Sequence, residues 1–411
     1  MGLRFLTAGE SHGRGMVAIL EGMPAGLPIG ADMVDVQLAR RMQGYGRGAR
    51  MKIERDRVEW LSGVRAGETL GSPIAMLVAN RDWANWEEVM AHEGEPGETR
   101  RRRVLRPRPG HADLAGSLKY DRRDARDILE RASARETAAR VAAGAVARRL
   151  LEEFGVDIGS HVVSLGGVDV PPLAELPLPL NRASDQSELR VLDRAVEPAL
   201  VALIDRAKKD GDTLGGEVEV VVRGLVVGLG SHVSWDRKLD GRLGGALMAL
   251  PAVKGVGIGL GFESARRPGS QVHDPIDAEA EPGATLADAR RGGFARRSNR
   301  AGGLEGGITT GAPLVLRLAM KPIATLMSPL PTIHLATGQR AQAQPERSDV
   351  TAVPALGVIA EAVTALVLAD AMLEKFGGDS LGELRRNYDG YLASLAARWA
   401  AMGPGAGGED E

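Results

Sequence analysis

Short apolar stretches recur along the chain and are bounded by turns rich in glycine and proline. Apolar stretches of this length between turn residues are typical of β-strands. We predict strands at residues 3–8, 16–22, 57–61, 73–79, 156–165, 217–227, 255–262 and 313–320. The predicted strands are therefore spread over most of the sequence.

A second pattern, in which apolar positions lie three or four residues apart, predicts helices. The longest helix is predicted over residues 124–154, is ended by Gly155, and is expected to bury one stripe along its length. The positions of that stripe are Ile128, Ala132, Val141, Ala145 and Leu150. A helix at residues 188–209 is predicted to kink or break at Pro198. Further helices are predicted at residues 32–42, 241–250, 353–376 and 381–402.

The longest apolar segment, residues 353–373, carries Glu361 and Asp370. These charges favour a buried helix over a membrane span. The first residues lack the charged region and the apolar stretch of a secretory signal. We therefore expect a soluble, cytoplasmic protein that has no membrane partner.

Two long polar segments, residues 80–113 and 264–311, hold most of the clusters of glycine, arginine and histidine. Loops of this length inside a compact domain are usually functional or disordered, and their composition here favours function. No linker divides the chain, and no repeat of 20–50 residues is visible. We predict one domain over residues 1–402, followed by a flexible, glycine-rich and acidic tail at residues 403–411.

The composition excludes several classes of protein. The 411 residues include 52 basic and 54 acidic side chains, so the net charge of −2 gives no whole-chain case for nucleic-acid binding. An apolar fraction of 44% excludes a disordered chain, and the absence of cysteine excludes disulfides, thiolate metal sites and a cysteine nucleophile. Only eight basic residues are lysine, and glycine is abundant with 54 residues. Coding bias or a function of arginine and glycine would each explain this excess.

Common catalytic motifs are absent or misplaced. The chain contains no G-x-x-x-x-G-K-[ST] and no H-E-x-x-H, and its G-x-G-x-x-G at residues 403–408 follows no strand. The seven histidines show no spacing of metal ligands, so no metal site is predicted. Residues 9–13 fit G-x-S-x-G, but a hydrolase elbow requires earlier strands. A serine hydrolase that uses Ser11 therefore remains only an alternative hypothesis.

A second alternative is an RNA- or polyanion-binding module that uses Arg100 to Arg103. Such modules usually stack bases on aromatic side chains, and only 3% of this chain is aromatic. Four consecutive arginines cannot all face one site. A solvated surface is therefore the favoured interpretation of this run, and no nucleic-acid partner is predicted.

Arginine, serine and histidine cluster in glycine-rich segments that suit a polyanionic ligand. An anion removed from water requires forked hydrogen-bond donors, which arginine supplies. Histidine titrates near neutral pH and can donate a proton to a leaving oxygen in the same pocket. The clusters lie at residues 11–12, 40–50, 106–111, 131–135, 296–303 and 347–349.

Seven segments, taken in order, resemble the chorismate synthase family over nearly the whole chain, from Phe5 to about Phe376. The diagnostic segments are GESHG at 9–13 continuing to EGMP at 21–24, ERASARET at 130–137, and RSD at 347–349 leading to EA at 361–362. The others are QGYGRG at 43–48, RPGHAD at 108–113, AGGLEGG at 301–307 and MKP at 320–322. Each segment is weak alone, but their shared order makes coincidence implausible.

The resemblance implies conversion of 5-enolpyruvylshikimate 3-phosphate to chorismate by a 1,4-elimination of phosphate that requires reduced FMN. By similarity, His12 protonates the departing phosphate, His111 supplies a proton to the reduced flavin, and Asp349 assists removal of the substrate proton through the flavin. The implied substrate-binding residues are Arg41, Arg47, Arg108, Arg135 and Arg347. The implied flavin-binding residues are Arg50, Ser133, Ala301, Lys321 and Thr325.

The family fold implied by this resemblance is a single α+β unit, in which a helical layer is packed between two antiparallel β-sheets, usually in a homotetramer. Some members also have an NADPH-dependent flavin reductase activity, usually with additional sequence. We find no candidate segment for that activity, so an external flavin reductase is the expected partner. The chain departs from the common family pattern at residues 42–43 and at Arg300, and neither position is catalytic.

Overall fold

Two antiparallel β-sheets enclose a layer of long helices in the computed structural model, which describes residues 2–48, 56–93, 102–346 and 349–402. The strands are β1 (Arg4–Ala8), β2 (Gly15–Glu21), β3 (Val58–Ser62), β4 (Val64–Arg65), β5 (Glu68–Thr69), β6 (Ile74–Ala79), β7 (Asp157–Leu165), β8 (Val168–Asp169), β9 (Gly216–Arg223), β10 (Val253–Ile258), β11 (Ile276–Ala278), β12 (Phe294–Arg296), β13 (Leu304–Glu305), β14 (Ile308–Thr309), β15 (Leu314–Met320), β16 (Pro331–Ile333) and β17 (Arg340–Gln342). The helices are α1 (Ala31–Met42), α2 (Asp113–Lys119), α3 (Arg126–Ala132), α4 (Thr137–Glu152), α5 (Leu180–Ser184), α6 (Glu197–Asp210), α7 (Leu239–Met248), α8 (Val353–Phe376) and α9 (Leu381–Ala400).

The first sheet has the strand order β1-β2-β6-β3, and its neighbouring strands are antiparallel. In β2, Met16, Ala18 and Leu20 are buried while the residues between them are not, as expected when one face of a sheet packs on a core. The β1–β2 pairing runs from Arg4 opposite Glu21 to Ala8 opposite Val17. This register places the turn between the two strands at one end of the sheet.

The second sheet has the order β10-β15-β9-β7-β8 and is also antiparallel. The predicted strands at residues 156–165 and 313–320 are confirmed as β7 and β15. The strand predicted at residues 217–227 is present as β9 but ends at Arg223. Strand β15 leads directly into Lys321. The polar segment at residues 264–311 is not a single loop, because it contains the hairpins β11–β12 and β13–β14.

Helices α1, α4 and α8 form the layer between the sheets. Helix α4 packs on β2 and β6 of the first sheet, and α8 packs on β7 and β9 of the second. The two helices approach closely at Gly144, where an added Cβ would lie 2.5 Å from the carbonyl oxygen of Ala362. Helix α4 is therefore buried on nearly all sides, whereas the sequence pattern predicted a single buried stripe. The predicted α+β architecture is confirmed.

The predicted continuous helix at residues 124–154 is wrong, because the chain breaks at Ser133. Ser133 has an extended backbone (φ −68°, ψ 145°), and its hydroxyl accepts a hydrogen bond from the Arg135 N–H at 3.3 Å. A serine that caps the following turn competes with continuation of a helix. The break separates α3 from α4 and lets the intervening residues face the hairpin turn of the first sheet.

The predicted helix at residues 188–209 is also corrected. Helix α6 begins at Glu197, so Pro198 lies in its first turn instead of at an internal kink. Proline fits this position because the first N–H groups of a helix have no intrahelical partner. Residues 194–196 form a short 3-10 turn before it.

Helix α8 is long and apolar enough to cross a membrane, but 89% of its most apolar window is buried inside the protein. Its Glu361 side chain accepts hydrogen bonds from Arg40 (2.8 and 3.1 Å), Arg190 (3.0 Å) and Arg148. Burial raises the pKa of Glu361, but the three guanidinium groups outweigh burial and hold that pKa well below its usual range. Helix α8 is thus a core helix organised around a buried ionic network.

Candidate active site

The turn between β1 and β2 carries Ser11 and His12 and is fixed against α3. The ring Nδ1 of His12 lies 2.9 Å from Oε1 and 3.0 Å from Oε2 of Glu130, and the backbone N–H of His12 donates to Oε2 at 2.8 Å. The Ser11 N–H donates to the Glu130 carbonyl at 3.0 Å. This turn joins two antiparallel strands, whereas a nucleophile elbow joins a strand to a helix. The geometry of a hydrolase elbow is therefore not present at Ser11.

Glu130 is almost completely buried, with 2% of its side chain exposed. Arg126, one helical turn earlier, donates to Oε1 of Glu130 at 2.8 Å. Burial raises the pKa of Glu130, but the hydrogen bonds from His12 and the charge of Arg126 outweigh burial and keep that pKa below its ordinary value. Glu130 is therefore ionised at neutral pH and faces His12 as an acceptor.

The indole of Trp86 stacks on the imidazole of His12, with ring centroids 3.7 Å apart and an interplanar angle of 27°. The indole N–H of Trp86 donates to the Asp82 carboxylate at 3.0 Å, which fixes the orientation of the indole. The guanidinium carbon of Arg102 lies 4.4 Å from the Trp86 ring centroid. Part of the arginine run at residues 100–103 thus contacts the wall of the site, while Arg100 and Arg101 lie outside the described residues.

Ser133 connects the His12 turn to a pair of buried arginines. Its hydroxyl lies 3.1 Å from the hydroxyl of Ser11. Arg135, two residues later, contacts both carboxylate oxygens of Asp56 at 2.5 and 2.6 Å. Arg41 approaches the same carboxylate at 3.4 Å and donates to the carbonyl of Ala134 at 3.0 Å. Two guanidinium groups therefore converge on one carboxylate beside the turn that carries His12.

His111 lies on the loop before α2 and contacts a second buried carboxylate. Its Nδ1 lies 2.5 Å from Oδ1 of Asp113, and Arg108 donates to both oxygens of Asp113 at 2.8 and 3.1 Å. Burial raises the pKa of Asp113, but the hydrogen bonds from His111 and Arg108 outweigh burial and hold that pKa well below its usual range. His111 and Arg108 are thus held together by one ionised carboxylate.

Lys321 and Thr325 lie against the same loop. The ammonium group of Lys321 donates to the carbonyl of Gly110, and Arg108 donates to the hydroxyl of Thr325 at 2.8 Å. Gly110 has a φ of +79°, and an added Cβ would lie 3.3 Å from the Lys321 nitrogen. The loop and the segment after β15 therefore form one cationic group, which contains four predicted site residues.

Arg47 and Asp349 form a third group. The Nε of Arg47 lies 3.0 Å from Asp349, and the Gly48 N–H donates to the same carboxylate at 2.6 Å. The N–H of Val350 donates to the Gly46 carbonyl at 2.8 Å. These contacts hold the glycine-rich loop after α1 against the chain just before α8. Arg50 and Arg347, also predicted for this site, lie outside the described residues.

The segment before Arg347 contacts both histidine groups. Glu346 accepts a hydrogen bond from Arg126 at 3.3 Å, and the Gln344 N–H donates to the Arg106 carbonyl at 3.3 Å. Ala301 is placed separately, in a turn where its N–H donates to Asp274 at 2.9 Å. Among the described residues, these contacts connect the predicted site residues around His12 with those around His111. None of them joins Ala301 to either group.

Four residues that organise the site were not predicted: Asp56, Trp86, Asp113 and Glu130. Asp113 and Glu130 lie within the segments RPGHAD and ERASARET. Because Asp113 stands two residues after His111, the sequence alone could have indicated that pair. Trp86 and Asp56 carry no comparable signal. They reach the site through the tertiary fold alone.

Comparison with known proteins gives one consistent result. The family model described as chorismate synthase matches residues 3–373. A chorismate synthase of Trichlorobacter lovleyi is 58% identical over 398 residues, which is 96% of this chain and 99% of that protein. A chorismate synthase of Geobacter sulfurreducens is 55% identical over 395 residues, or 96% of this chain and all of that protein. A crystal structure of chorismate synthase superimposes with a TM-score of 0.75 at 43% identity and covers 97% of this chain and 99% of its own.

Proposed function

Because the chain belongs to the chorismate synthase family, we propose that it catalyses the 1,4-elimination of phosphate from 5-enolpyruvylshikimate 3-phosphate, which yields chorismate, with reduced FMN as cofactor. In this proposal the enzyme is a carbon–oxygen lyase of aromatic amino acid biosynthesis. The observation that carries the proposal is the match to the family over residues 3–373, which includes every predicted site residue.

The proposed substrate has one phosphate and two carboxylates, which require several cationic donors. Arg41 and Arg135 are buried and both approach the carboxylate of Asp56, so two forked guanidinium groups lie close together there. Forked guanidinium groups suit phosphate and carboxylate oxygens. We assign Arg41, Arg47, Arg108, Arg135 and Arg347 to substrate binding on this basis and by family position.

His12 is the proposed general acid for the departing phosphate. Its Nδ1 faces Glu130, so Nε2 is the nitrogen from which a proton can be transferred to a ligand. Protonation of the leaving oxygen lowers the cost of expelling phosphate from an environment that is poor in water. The stacked indole of Trp86 restricts the plane in which that proton is presented.

The residues around Gly110 fit the chemistry of FMN. Lys321, Arg108 and the hydroxyl of Thr325 supply donors to a phosphate or to an anionic ring, and Gly110 leaves room for close approach. When bound, reduced FMN supplies electron density and a basic nitrogen for an elimination that is redox-neutral overall. We assign Arg50, Ser133, Ala301, Lys321 and Thr325 to FMN binding.

His111 and Asp349 are the remaining proposed catalytic residues. His111 lies on the loop that also carries Gly110, and its Nδ1 faces the ionised carboxylate of Asp113, which can only accept a hydrogen bond. Asp349 is an acceptor that is itself held by Arg47 and by the Gly48 N–H. We propose that His111 supplies a proton to the reduced flavin and that Asp349 assists removal of the substrate proton.

We also propose that residues 1–402 form one catalytic domain, that it assembles as a homotetramer, and that it acts in the cytoplasm. In this proposal an external flavin reductase supplies the reduced cofactor. The supporting observation is that the family match runs without interruption through both sheets and the helical layer. The tail at residues 403–411 lies outside the described residues.

The test is an anaerobic assay of phosphate release. The protein is supplied with FMN reduced by dithionite and with 5-enolpyruvylshikimate 3-phosphate, and FMN binding is followed separately by quenching of its fluorescence. We expect phosphate release with reduced FMN and none with oxidised FMN without a reductant. Absence of phosphate release by protein that demonstrably binds FMN would refute the proposal.

A further inference from the structure

We propose that Glu130 is a positioning residue for His12 and fixes the tautomer and the orientation of its imidazole. This inference rests on the proposed function only in the role that it gives to the His12 proton. The arrangement itself is a property of the folded chain and can be measured without substrate or cofactor.

The contacts between the two residues involve both the side chain and the backbone of His12. Both oxygens of Glu130 lie within 3.0 Å of Nδ1, and Oε2 also accepts the His12 N–H at 2.8 Å. The backbone carbonyl of Glu130 accepts the Ser11 N–H at 3.0 Å. One residue of α3 therefore determines both the position of the turn and the direction of the ring.

An ionised carboxylate can only accept hydrogen bonds, so it requires a proton on Nδ1 of His12. The neutral imidazole is therefore the Nδ1–H tautomer, and the protonated imidazole carries its second proton at Nε2. Free imidazole in water has no such constraint. Glu130 thereby directs every proton exchange with a ligand to one nitrogen.

The charges around Glu130 keep its carboxylate ionised. From α3, Arg126 donates to Glu130 at 2.8 Å and stabilises the carboxylate. Arg102 contacts the same indole as His12, and Glu346 accepts from Arg126 at 3.3 Å. Glu130 therefore faces Nδ1 of His12 as an acceptor and not as a donor.

The first test uses the full chain without cofactor, labelled with ¹⁵N at histidine. We expect the His12 signals of the unsubstituted protein, assigned by their loss in His12→Ala, to show the Nδ1–H tautomer at high pH. In Glu130→Gln the amide can donate as well as accept, so the neutral ring should populate both tautomers. The matched control is Asp127→Asn, which removes a carboxylate from the same helix and should leave the tautomer unchanged.

The second test is turnover. In Glu130→Gln, kcat should fall about tenfold or more while KM changes little, because the ring that donates the proton is held less precisely. Glu130→Asp, which keeps a carboxylate, should recover part of the loss. A merely structural role would change KM and kcat together.

The outcomes separate this inference from the proposed function. An Nε2–H tautomer of His12 in the unsubstituted protein would overturn the inference, and so would an unchanged tautomer and an unchanged kcat in a folded Glu130→Gln. The tautomer is read from the unsubstituted chain, so it remains decisive even where Glu130→Gln does not fold. Absence of turnover combined with the expected tautomer would refute the proposed function while leaving the positioning of His12 by Glu130 intact.

Discussion

Replacement of Glu361 by glutamine is the most informative perturbation of the core. Glu361 is fully buried in the middle of α8 and accepts hydrogen bonds from Arg40, Arg148 and Arg190. Ser160 donates to it at 2.5 Å as well. The substitution retains the shape of the side chain and removes its charge, which leaves three guanidinium groups facing a neutral amide.

The expected cost follows from this geometry. Breaking a buried ion pair by neutralising one partner typically destabilises a protein by about 3–5 kcal/mol, because the remaining charge is left without compensation. Glu361 compensates the charges of three arginines. Asp185 also contacts Arg40 and Arg190, so part of their positive charge remains compensated in the variant. We therefore expect Glu361→Gln to lower the free energy of unfolding by about 3–5 kcal/mol.

The matched control is Glu374→Gln on the same helix. Glu374 also pairs with two arginines, Arg237 at 2.7 Å and Arg242 at 3.0 Å, but about a third of its side chain is exposed. Exposed ion pairs contribute about 0–1 kcal/mol, so this variant should remain close to the unsubstituted protein. The comparison isolates burial as the cause of the difference.

The assay is urea denaturation, followed by tryptophan fluorescence at one fixed protein concentration, because assembly would make stability depend on concentration. The folded-state pKa of Glu361 is depressed, so its stabilising effect is present above the unfolded value of about 4.3 and is lost as the pH falls below it. The difference in free energy of unfolding between Glu361→Gln and the unsubstituted protein should therefore become smaller as the pH falls below that value. A loss below about 1 kcal/mol at neutral pH, equal to that of Glu374→Gln, would show that burial of Glu361 does not determine the cost.

Three further predictions concern the site and the helical layer. His12→Ala and His111→Ala should each lower kcat about 10²–10⁴-fold in the phosphate-release assay, and an unchanged rate would remove that residue from the mechanism. Gly144→Ala should destabilise the fold by about 1–3 kcal/mol in urea, because its Cβ would overlap Ala362. Ser133→Ala should cost about 1 kcal/mol through loss of the cap, and an unchanged urea midpoint would contradict that role.

The periodicity of the sequence was sufficient for most elements of the fold. Apolar spacing predicted α8 at its observed bounds, because a helix buried on nearly all sides has a continuous apolar sequence. The same signal failed at Ser133, since the alanine-rich pattern continues across the break. The partners that favour the break, such as Arg41 at the Ala134 carbonyl, are distant in sequence.

The sequence predicted site residues whose partners lie close to them in the chain. It did not predict partners that only the tertiary fold brings together. His111 and Arg108 share a short loop with the carboxylate that holds them, so their association follows from residues 108–113. Asp56 precedes β3 and Arg135 precedes α4, so the two residues meet only through the packing of the first sheet against the helical layer. Arg135 also contacts the carbonyl of Ala79, at the end of β6, at 3.5 Å. No spacing within the sequence encodes that contact.

In the proposed function, the anionic ligand of these arginines is a substrate that loses phosphate by elimination. An anaerobic single turnover of the protein loaded with reduced FMN tests this, with phosphate and the ultraviolet absorbance of chorismate followed together. We expect the two products to form in equal amounts and His12→Ala to slow both equally. Phosphate release without chorismate, as simple hydrolysis would give, would rule out an elimination.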